Sequence, residues 1–449
     1  MSRFFNLPPM TTSDPLPLSV GSEEAKSEIS PVEQSREGEG DANVVDYPEG
    51  GLQAWLVVFG SFLGLFSTWG VINSYGVFHD YYSTVLLPNS SSSTISLIGA
   101  LQLFFLYGFS PVIGRIFDLY GPNVLVPLGS VIIVISLMLL SLCQANHAYQ
   151  FFLTHGLLFG IGITIAYTPV VAVIGHWFHK RRPFAIGVIA SGSSIGGVIY
   201  PIVLQRLIPK VGFPWAVRVM AFINMGCLAV SCLTIKTRLK PTVRRSWRQG
   251  LVDLNGFKEP TFCLACAATF IMFYVQFVPY FYIEAYADYR QITSTISRYI
   301  VAIMNGAGVA RILLSLLAVK FGTLNIMVPT TILSVILVLA VWLPSQGAVP
   351  LTIFGALYGI FSGAFLSLLP AYIGAISPTE RFGGRLGCAW FFAAVASLVG
   401  TPTAGAFVQD RQHPRYTSLI LFTGLMTLGG AMMLVVARFM HSRSLMYKI

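Results

Sequence analysis

Charged side chains are scarce in this sequence: only 10% of its residues are Asp, Glu, Lys or Arg, whereas 55% are hydrophobic. Soluble proteins carry about 25% charged residues, so this deficit and the mean hydropathy of +0.71 exclude a water-soluble globular protein. Acidic residues are the rarest, at 18 in 449, and none stands in the middle of a hydrophobic run. We therefore expect an integral membrane protein in which a proton relay through buried carboxylates is hard to build.

Residues for metal binding or covalent catalysis are also few. The six cysteines all fall within apolar runs, where a cysteine acts as a small hydrophobic side chain. Cys263 and Cys266 form a CxxC pair without a second pair nearby, so no metal site is predicted. No Ser/His/Asp set or nucleotide-binding loop is visible, so we predict neither an enzyme nor a cofactor.

The net charge of +10 raises the question of a nucleic-acid partner. The lysines and arginines lie between hydrophobic runs, and no basic face with interleaved aromatic residues stands outside them, so we predict no nucleic-acid partner. The oligomeric state is left open.

Twelve hydrophobic segments are each close to the ~20 residues that an α-helix needs to cross a bilayer. Short polar turns separate them, which is typical of a helical bundle rather than a barrel. The segments run approximately from 54 to 77, 94 to 114, 123 to 143, 150 to 174, 184 to 204, 215 to 235, 259 to 282, 295 to 317, 325 to 344, 351 to 374, 386 to 407 and 417 to 438.

The segments divide into two sets of six that resemble each other. Gly121 and Gly322 follow the second and eighth segments, and Gly156 and Gly355 occupy matching places in the fourth and tenth, each pair about 200 residues apart. Shared order at a nearly constant spacing indicates an internal duplication. We predict an all-α membrane protein with twelve transmembrane helices in two pseudo-repeated six-helix halves. Its parts are a disordered tail (1–48), a first half (49–235), a central loop (236–258), a second half (259–438) and a short tail (439–449).

The orientation follows from the lysines and arginines of the short loops, which favour the cytoplasmic side. The loops on the side of the termini carry most of them, so we expect both termini in the cytoplasm and, by default, a location in the cell membrane. Asn89 starts an Asn-Ser-Ser triplet that would lie outside as a glycosylation acceptor. The opposite loops hold only Arg206, Lys210, Arg290, Arg298, Arg411 and Arg415.

A tight turn between the second and third segments carries a recognisable motif. It reads Gly-Arg-Ile-Phe-Asp-Leu-Tyr-Gly from Gly114 to Gly121. The pattern resembles the G-x-x-x-D-R-x-G loop of the major facilitator superfamily, with Leu119 where a basic residue is usual. The resemblance implies a gating loop of Gly114, Asp118 and Gly121, although Asp118 could equally be a helix-capping aspartate.

Two further stretches refine this resemblance. Glu49-Gly50-Gly51 precedes the first segment, and a Trp-Phe-His-Lys-Arg-Arg-Pro run with a following row of glycines and serines, 177–197, opens the fifth. Together they resemble the monocarboxylate porter branch of the superfamily in its fungal form, over about residues 47 to 440. The resemblance implies a transporter that alternates access around a site at mid-membrane.

Arg311 lies in the eighth apolar run, and an arginine there costs at least ~2.5–3.5 kcal/mol, so such residues usually face a bundle interior or a water-filled path. The alternative is an arginine that reaches the cytoplasmic surface or neighbouring backbone carbonyls. The resemblance places Arg311 at the family's substrate-carboxylate arginine. However, Asn73 and Ala307 stand where carboxylate-transporting members have a lysine and an aspartate.

Polar and aromatic residues near this arginine suit an organic anion with an apolar body. Each of them alone is more often a helix-packing residue. His155 is the only histidine that the sequence places well inside a segment, and we interpret it as a hydrogen-bonded structural residue. The candidate substrate-binding residues are Arg311, Asn73, Tyr75, Asn305, Tyr167, Tyr358 and Trp390.

We therefore expect a secondary transporter for a small organic, anionic or weakly acidic metabolite, with export of a secondary metabolite as the first hypothesis. The alternative is proton-coupled uptake of monocarboxylates or a related nutrient, with Asp80, Glu284 or Asp288 as proton carriers. A third hypothesis, a non-transporting membrane sensor, is weaker because such proteins usually add a long signalling extension.

Overall fold

The computed structural model describes residues 48–178, 181–238, 253–292, 299–378, 381–409 and 414–441. The side chains of Asp118, Pro183 and Arg311 lie outside this description. The predicted tail up to residue 47, most of the central loop and the last eight residues also lie outside it. The described chain is helical with no strand, as the twelve apolar runs predict.

The membrane helices are long and apolar, as their sequences predict. We number them in chain order and count helical segments that a short break separates within one apolar stretch as one element. They are α1 Leu52–Leu86, α2 Ser92–Tyr120, α3 Pro122–Leu140, α4 Ala148–Trp177, α5 and α6 together Phe184–Thr234, α7 Pro260–Tyr289, α8 Ile300–Phe321, α9 Thr323–Trp342, α10 Ala348–Ala375, α11 Phe382–Phe407 and α12 Tyr416–His441.

The stretch Phe184–Thr234 accounts for two crossings. Its 51 residues would extend ~75 Å as one α-helix, whereas the hydrocarbon core is about 30 Å thick. Gly212 breaks it with φ 79° and ψ 164°, a left-handed conformation that glycine adopts without a Cβ clash. The eleven continuous apolar stretches of the described chain therefore make twelve crossings, with α5 ending and α6 beginning at Gly212.

An even number of crossings brings both ends of the described bundle to one side. We call this side, which holds Leu52 and His441, the near end, and the opposite side the far end. Within the first half α1 packs on α5, α2 on α4 and α3 on α6. The equivalent pairs α7–α11, α8–α10 and α9–α12 pack in the second half. The halves meet where α1 contacts α7, α2 contacts α11 and α5 contacts α8.

Corresponding glycines make corresponding contacts in the two halves. A Cβ at Gly156 of α4 would come within 3.2 Å of Leu101 on α2, and a Cβ at Gly355 of α10 would come within 3.1 Å of Ile300 and Met304 on α8. Small residues of this kind let two membrane helices approach closely. The matched glycines of the sequence therefore mark the same helix crossing in each half.

The two matched turns are also alike. Gly121 ends α2 with φ 70° and Gly322 ends α8 with φ 99°. The amide of Gly121 donates to Phe117 O at 2.7 Å, and the amide of Gly322 donates to Ala318 O at 2.8 Å. Glycine is favoured at both places because a positive φ strains residues that have a Cβ.

Candidate functional site

A small cavity lies between the two halves near the middle of the bundle. Its volume is about 30 Å³, enough for one or two water molecules and too small for an organic substrate. Both halves supply its walls, and the described lining carries no charged side chain. The lining residues are Trp69, Asn73, Ser194, Gln276, Phe277, Tyr280, Asn305, Gly308, Gly359, Gly363 and Leu366.

Asn305 of α8 joins three helices at this cavity. Its side-chain amide donates to Asn73 O on α1 at 3.3 Å, to Gly197 O on α5 at 3.2 Å and to Val301 O on its own helix at 2.9 Å. A Cβ at Gly197 would lie 2.6 Å from Asn305 Cγ. The amide therefore reaches α5 only because residue 197 lacks a side chain.

Gln276 of α7 forms the opposite wall. Helix α7 is interrupted beside it, since one helical segment ends at Val275 and the next starts at Val278. The Gln276 side chain donates to Ser362 O on α10 at 2.8 Å, and Tyr358 Oη donates to Gln276 O at 3.2 Å. Backbone groups that the helix break releases are thereby bonded within the protein, as membrane burial demands.

An aromatic layer lies on the side of the cavity that faces the near end. Phe273 precedes the cavity residue Gln276 by one helical turn on α7, and Trp69 stands one turn before Asn73 on α1, both toward the near end. Tyr107 of α2 and Trp390 of α11 stack across the two halves, with ring centroids 5.0 Å apart and planes 17° apart. These four rings therefore border the cavity on its near side.

Direct contacts between the halves close the far end. Ser93 Oγ on α2 donates to Pro402 O on α11 at 2.8 Å. Gln205 Nε2 on α5 donates to Glu284 Oε1 on α7 at 2.9 Å, and the Glu284 residue is only 9% exposed. We call these contacts, together with the ring contact between His79 of α1 and Tyr282 of α7 that is described next, the far-end seal. Together with the aromatic layer, they flank the cavity on both sides.

His79 is a buried residue of the seal that sequence reasoning missed. The first apolar run was expected to end at residue 77, but α1 stays helical to Leu86. His79 therefore lies within this helix, where it is only 2% exposed. Its ring packs edge-on against Tyr282 of α7 with centroids 4.9 Å apart. His155 is therefore not the only histidine well inside a span. His155 itself is fully buried, and its Nδ1 is hydrogen bonded to Tyr82 Oη at 2.9 Å.

The structure distributes the predicted binding residues over several places. Asn73 and Asn305 line the cavity. Trp390 belongs to the aromatic layer, and Tyr167 packs against Trp69 beside it, with ring centroids 6.0 Å apart.

Two predicted tyrosines are bonded within the protein outside the lining. Tyr75 Oη donates to Ile95 O at 2.5 Å on the far side of the cavity, and Tyr358 Oη bonds Gln276 O behind its wall.

Arg311 is described only through its backbone. Helix α8 is interrupted by a 3₁₀ turn, Gly308–Ala310, and Arg311 begins the segment that follows. Gly308 lines the cavity, and Arg311 stands three residues later, one turn closer to the near end. Since residues i and i+3 of a 3₁₀ turn eclipse each other, the Arg311 position continues the helix face that Gly308 presents.

The near end of each half holds an acidic residue against an arginine. In the first half Glu49 Oε2 accepts a hydrogen bond from the backbone amide of Arg181 at 2.9 Å, and Arg181 Nη1 donates to Glu49 O at 3.4 Å. The Glu49 amide donates to Trp177 O at 3.3 Å. The two sequence stretches that carry the finer resemblance therefore contact each other.

The second half has a buried version of this contact. The Arg385 side chain is fully buried, its Nε lies 3.2 Å from Asp253 Oδ2, and its guanidinium also pairs with the Glu259 carboxylate. Arg385 Nη1 donates to Ile376 O at 2.9 Å. The hydrogen bond from Arg385 holds the pKa of Glu259 below its ordinary value. We call the Glu49–Arg181 and Arg385–Asp253–Glu259 groups the first and second clasps.

The predicted gating loop and glycosylation site occupy opposite ends of the bundle. Gly114 lies on α2, where an added Cβ would stand 3.7 Å from Thr168 Cγ2, and Gly121 ends that helix. The side chain of Asp118 is outside the description. Asn89 is exposed in the far-end turn, where its Nδ2 is 3.4 Å from Asn146 Oδ1.

Two six-helix halves around a small cavity at mid-bundle form the architecture of a membrane transporter. The chain belongs to the Major Facilitator Superfamily, whose model matches residues 54–350. It is therefore a transporter rather than an enzyme.

Curated relatives cover nearly the whole chain. It is 36% identical over 392 residues to the MFS transporter asaE of Aspergillus flavus, covering 87% of this chain and 88% of the relative. It is also 36% identical to the Fujikurins efflux protein of Gibberella fujikuroi, covering 89% and 86% of the two chains. The Aspyridones efflux protein apdF of Emericella nidulans is 33% identical, covering 86% and 79%.

Solved structures support the fold. The peptide transporter POT in complex with sulfate matches with a TM-score of 0.67 at 14% identity, over 88% of this chain and 96% of that chain. The nucleoside transporter NupG matches with a TM-score of 0.66 at 12% identity, over 88% and 100% of the two chains. At this identity the likeness concerns the fold and carries nothing about the substrate.

Proposed function

We propose that the protein exports a small organic, anionic or weakly acidic metabolite from the cytoplasm by alternating access. The observation that carries the proposal is the mid-bundle cavity whose walls come from both halves. Rocking of one half against the other would open it first to one side and then to the other. The names of the relatives, which include efflux proteins for fungal metabolites, support export as the direction.

The orientation belongs to the same proposal. We infer that the near end faces the cytoplasm and the far end the outside of the cell membrane. The lysine and arginine distribution supports this orientation, as does the exposure of Asn89 in a far-end turn, where a glycosylation acceptor would be needed.

The proposed anion contact is Arg311. The described lining of the cavity is uncharged, so an anionic substrate needs a positive group from elsewhere. Arg311 follows the lining residue Gly308 by one 3₁₀ turn, which supports this assignment. A carboxylate would also offset the cost of an arginine within the bilayer.

The finer family assignment is also proposed. The contact between Glu49 and the start of α5 supports the monocarboxylate porter branch, because it links the two stretches that suggest this branch. Gly51 has φ 87°, which explains physically why a glycine precedes α1. The gating role of Gly114, Asp118 and Gly121 remains a prediction.

Proton-coupled uptake is the second candidate. It is favoured by Glu284, a buried carboxylate whose hydrogen bond to Gln205 joins the halves at the far end. Opening the far-end seal would break this bond and expose Glu284 to water, so protonation and opening could be coupled. Accumulation of the substrate on the cytoplasmic side, driven by an imposed pH gradient, would favour this candidate.

Transport into everted membrane vesicles tests the proposed export. Extracts of metabolites from the producing cells serve as the cargo, and uptake is followed by mass spectrometry. We expect Arg311→Ala to abolish uptake of an acidic metabolite while Lys320→Ala, on the same helix at the near end, retains it. Normal uptake by the Arg311 variant at equal protein level would overturn the assignment of Arg311. Uptake only by right-side-out vesicles would overturn export.

A further inference from the structure

Two aromatic rings from different halves form a stacked pair beside the cavity. Tyr107 of α2 and Trp390 of α11 have ring planes 17° apart. Three other ring pairs that join the halves within the described residues cross at steeper angles: 43° for Tyr75 with Phe281, 69° for His79 with Tyr282 and 78° for Tyr107 with Phe273. The Tyr107–Trp390 pair thus presents two nearly parallel faces at the moving interface.

Other aromatic edges frame this pair. The ring of Phe273 on α7 is nearly perpendicular to both rings. Its plane makes an angle of 78° with Tyr107 and 87° with Trp390, and the ring centroids are 5.0 Å and 6.0 Å apart. Trp69 lies 6.0 Å from Tyr107 and also lines the cavity. The pair is therefore walled on one side and continuous with the cavity through Trp69.

We propose that the Tyr107 and Trp390 faces form a stacking subsite that takes a planar conjugated ring of the transported metabolite. The proposal rests on the proposed transport function and adds the shape and chemistry of the cargo. In this structure the two rings stack on each other. When the halves separate, the ring of the cargo replaces this contact and each half keeps one aromatic partner.

The dimensions agree with this exchange. A planar ring needs about 3.5–4 Å to the atoms on each of its faces, so the two protein rings must stand ~7 Å apart to hold it. The centroids now lie 5.0 Å apart, which is an upper bound on the spacing between the faces, so the halves must separate by at least about 2 Å. Because Tyr107 and Trp390 belong to different halves, rocking changes this separation directly.

The subsite selects for planarity rather than for charge. A flat ring contacts both faces fully, whereas a puckered saturated ring of the same size touches each face with a few hydrogens. Stacked aromatic pairs gain free energy beyond their buried area, so the flat ring should bind about tenfold more tightly. Arg311, one turn from the cavity, supplies the charge selection in the proposed function.

The test compares 2-naphthoate with decahydro-2-naphthoate, two carboxylates of the same carbon skeleton that differ in planarity. Binding to the purified full-length protein in nanodiscs is measured by calorimetry, and export is measured in everted proteoliposomes. We expect the wild type to prefer 2-naphthoate about tenfold. Trp390→Leu and Tyr107→Leu should each bring the two affinities close together, whereas Trp390→Phe should keep most of the preference.

The chain supplies matched controls. Phe391, next to Trp390, is 56% exposed on the outer surface of the bundle, and Phe109, close to Tyr107, is 45% exposed. Phe391→Leu and Phe109→Leu should keep the preference. Using two subsite variants keeps the test decisive if one of them does not fold.

The possible outcomes separate the subsite from the transport function. Equal affinities in the wild type, no binding of either acid, or an undiminished preference in a folded subsite variant would overturn the subsite. Selective binding of 2-naphthoate without its export would support the subsite and overturn export as the function.

Discussion

The first and second clasps hold the same place in the two halves but use different chemistry. Each joins the start of the first helix of its half to the start of the fifth. In the first half the Glu49 carboxylate accepts from the Arg181 backbone amide at an exposed helix start. In the second half two carboxylates pair with the guanidinium of Arg385, which is fully buried.

This difference shows that the duplication preserved a position and not an interaction. The first clasp acts as a helix cap, in which a carboxylate meets free amides and the positive end of a helix dipole. The second is a buried ion pair, in which the arginine depends on its partners because an unpaired buried charge is very costly. Removing the carboxylates of the second clasp should therefore lower the stability of the protein more than removing the carboxylate of the first.

The largest effect is expected from removing both partners of Arg385. The double variant Asp253→Asn with Glu259→Gln leaves a buried guanidinium with no opposite charge, at a cost of about 3–5 kcal/mol. Thermal unfolding of the purified protein should shift to a clearly lower Tm. Arg385→Met, which removes the buried charge and keeps an apolar side chain of similar length, should cost less. A double variant as stable as the wild type would contradict the dependence of Arg385 on these carboxylates.

A smaller effect should appear with Glu259→Gln alone, and it should depend on pH. The pKa of Glu259 in the folded protein lies below its ordinary value of 4.5 because of the hydrogen bond from Arg385. A depressed carboxyl pKa stabilises the fold above the ordinary value, and this stabilisation is lost as the pH falls through the folded-state pKa. The difference in Tm between wild type and variant should therefore be constant near pH 7 and shrink below about pH 4.5. The carboxylate is 47% exposed, so solvent screening keeps the difference modest.

The same substitution in the first half, Glu49→Gln, provides the matched comparison and the smallest effect. An amide oxygen can still accept from the Arg181 amide, and exposed ion pairs contribute only about 0–1 kcal/mol. We expect a Tm within a few degrees of the wild type. A loss of Tm larger than that caused by Glu259→Gln would contradict the expectation that the second clasp contributes more to stability than the first.

Much of the fold could be predicted because membrane burial imposes it. The number of crossings, the two halves and the glycine turns at Gly121 and Gly322 follow from hydropathy, spacing and the left-handed conformation that these turns require. The extension of α1 to Leu86 did not follow from hydropathy, because Asp80 and the polar residues after it end the apolar run. The run therefore stops before His79, although tertiary packing keeps this residue helical and buried.

The candidate site could be predicted only in part. Asn73 and Asn305 could be predicted as candidate binding residues because they are polar residues in apolar helices, and both line the cavity. Tyr107 and Trp69 gave no such signal, because single aromatic residues in a membrane helix usually face lipid or a neighbouring helix. Their role depends on which helices of the two halves face each other, and one sequence does not state this. The pairing of Arg385 with Asp253 is likewise a long-range contact.

The central claim is that cargo passes through the cavity between the halves, and Asn305 tests it most directly. Asn305→Leu removes the amide that bonds α1, α5 and α8 at the cavity, while Asn224→Leu removes a buried amide outside the cavity lining, which donates to Met220 O at 2.9 Å. In everted proteoliposomes with both variants at equal protein level, we predict at least a roughly tenfold loss of export for Asn305→Leu and near-normal export for Asn224→Leu. Equal export by the two variants would contradict a path through this cavity.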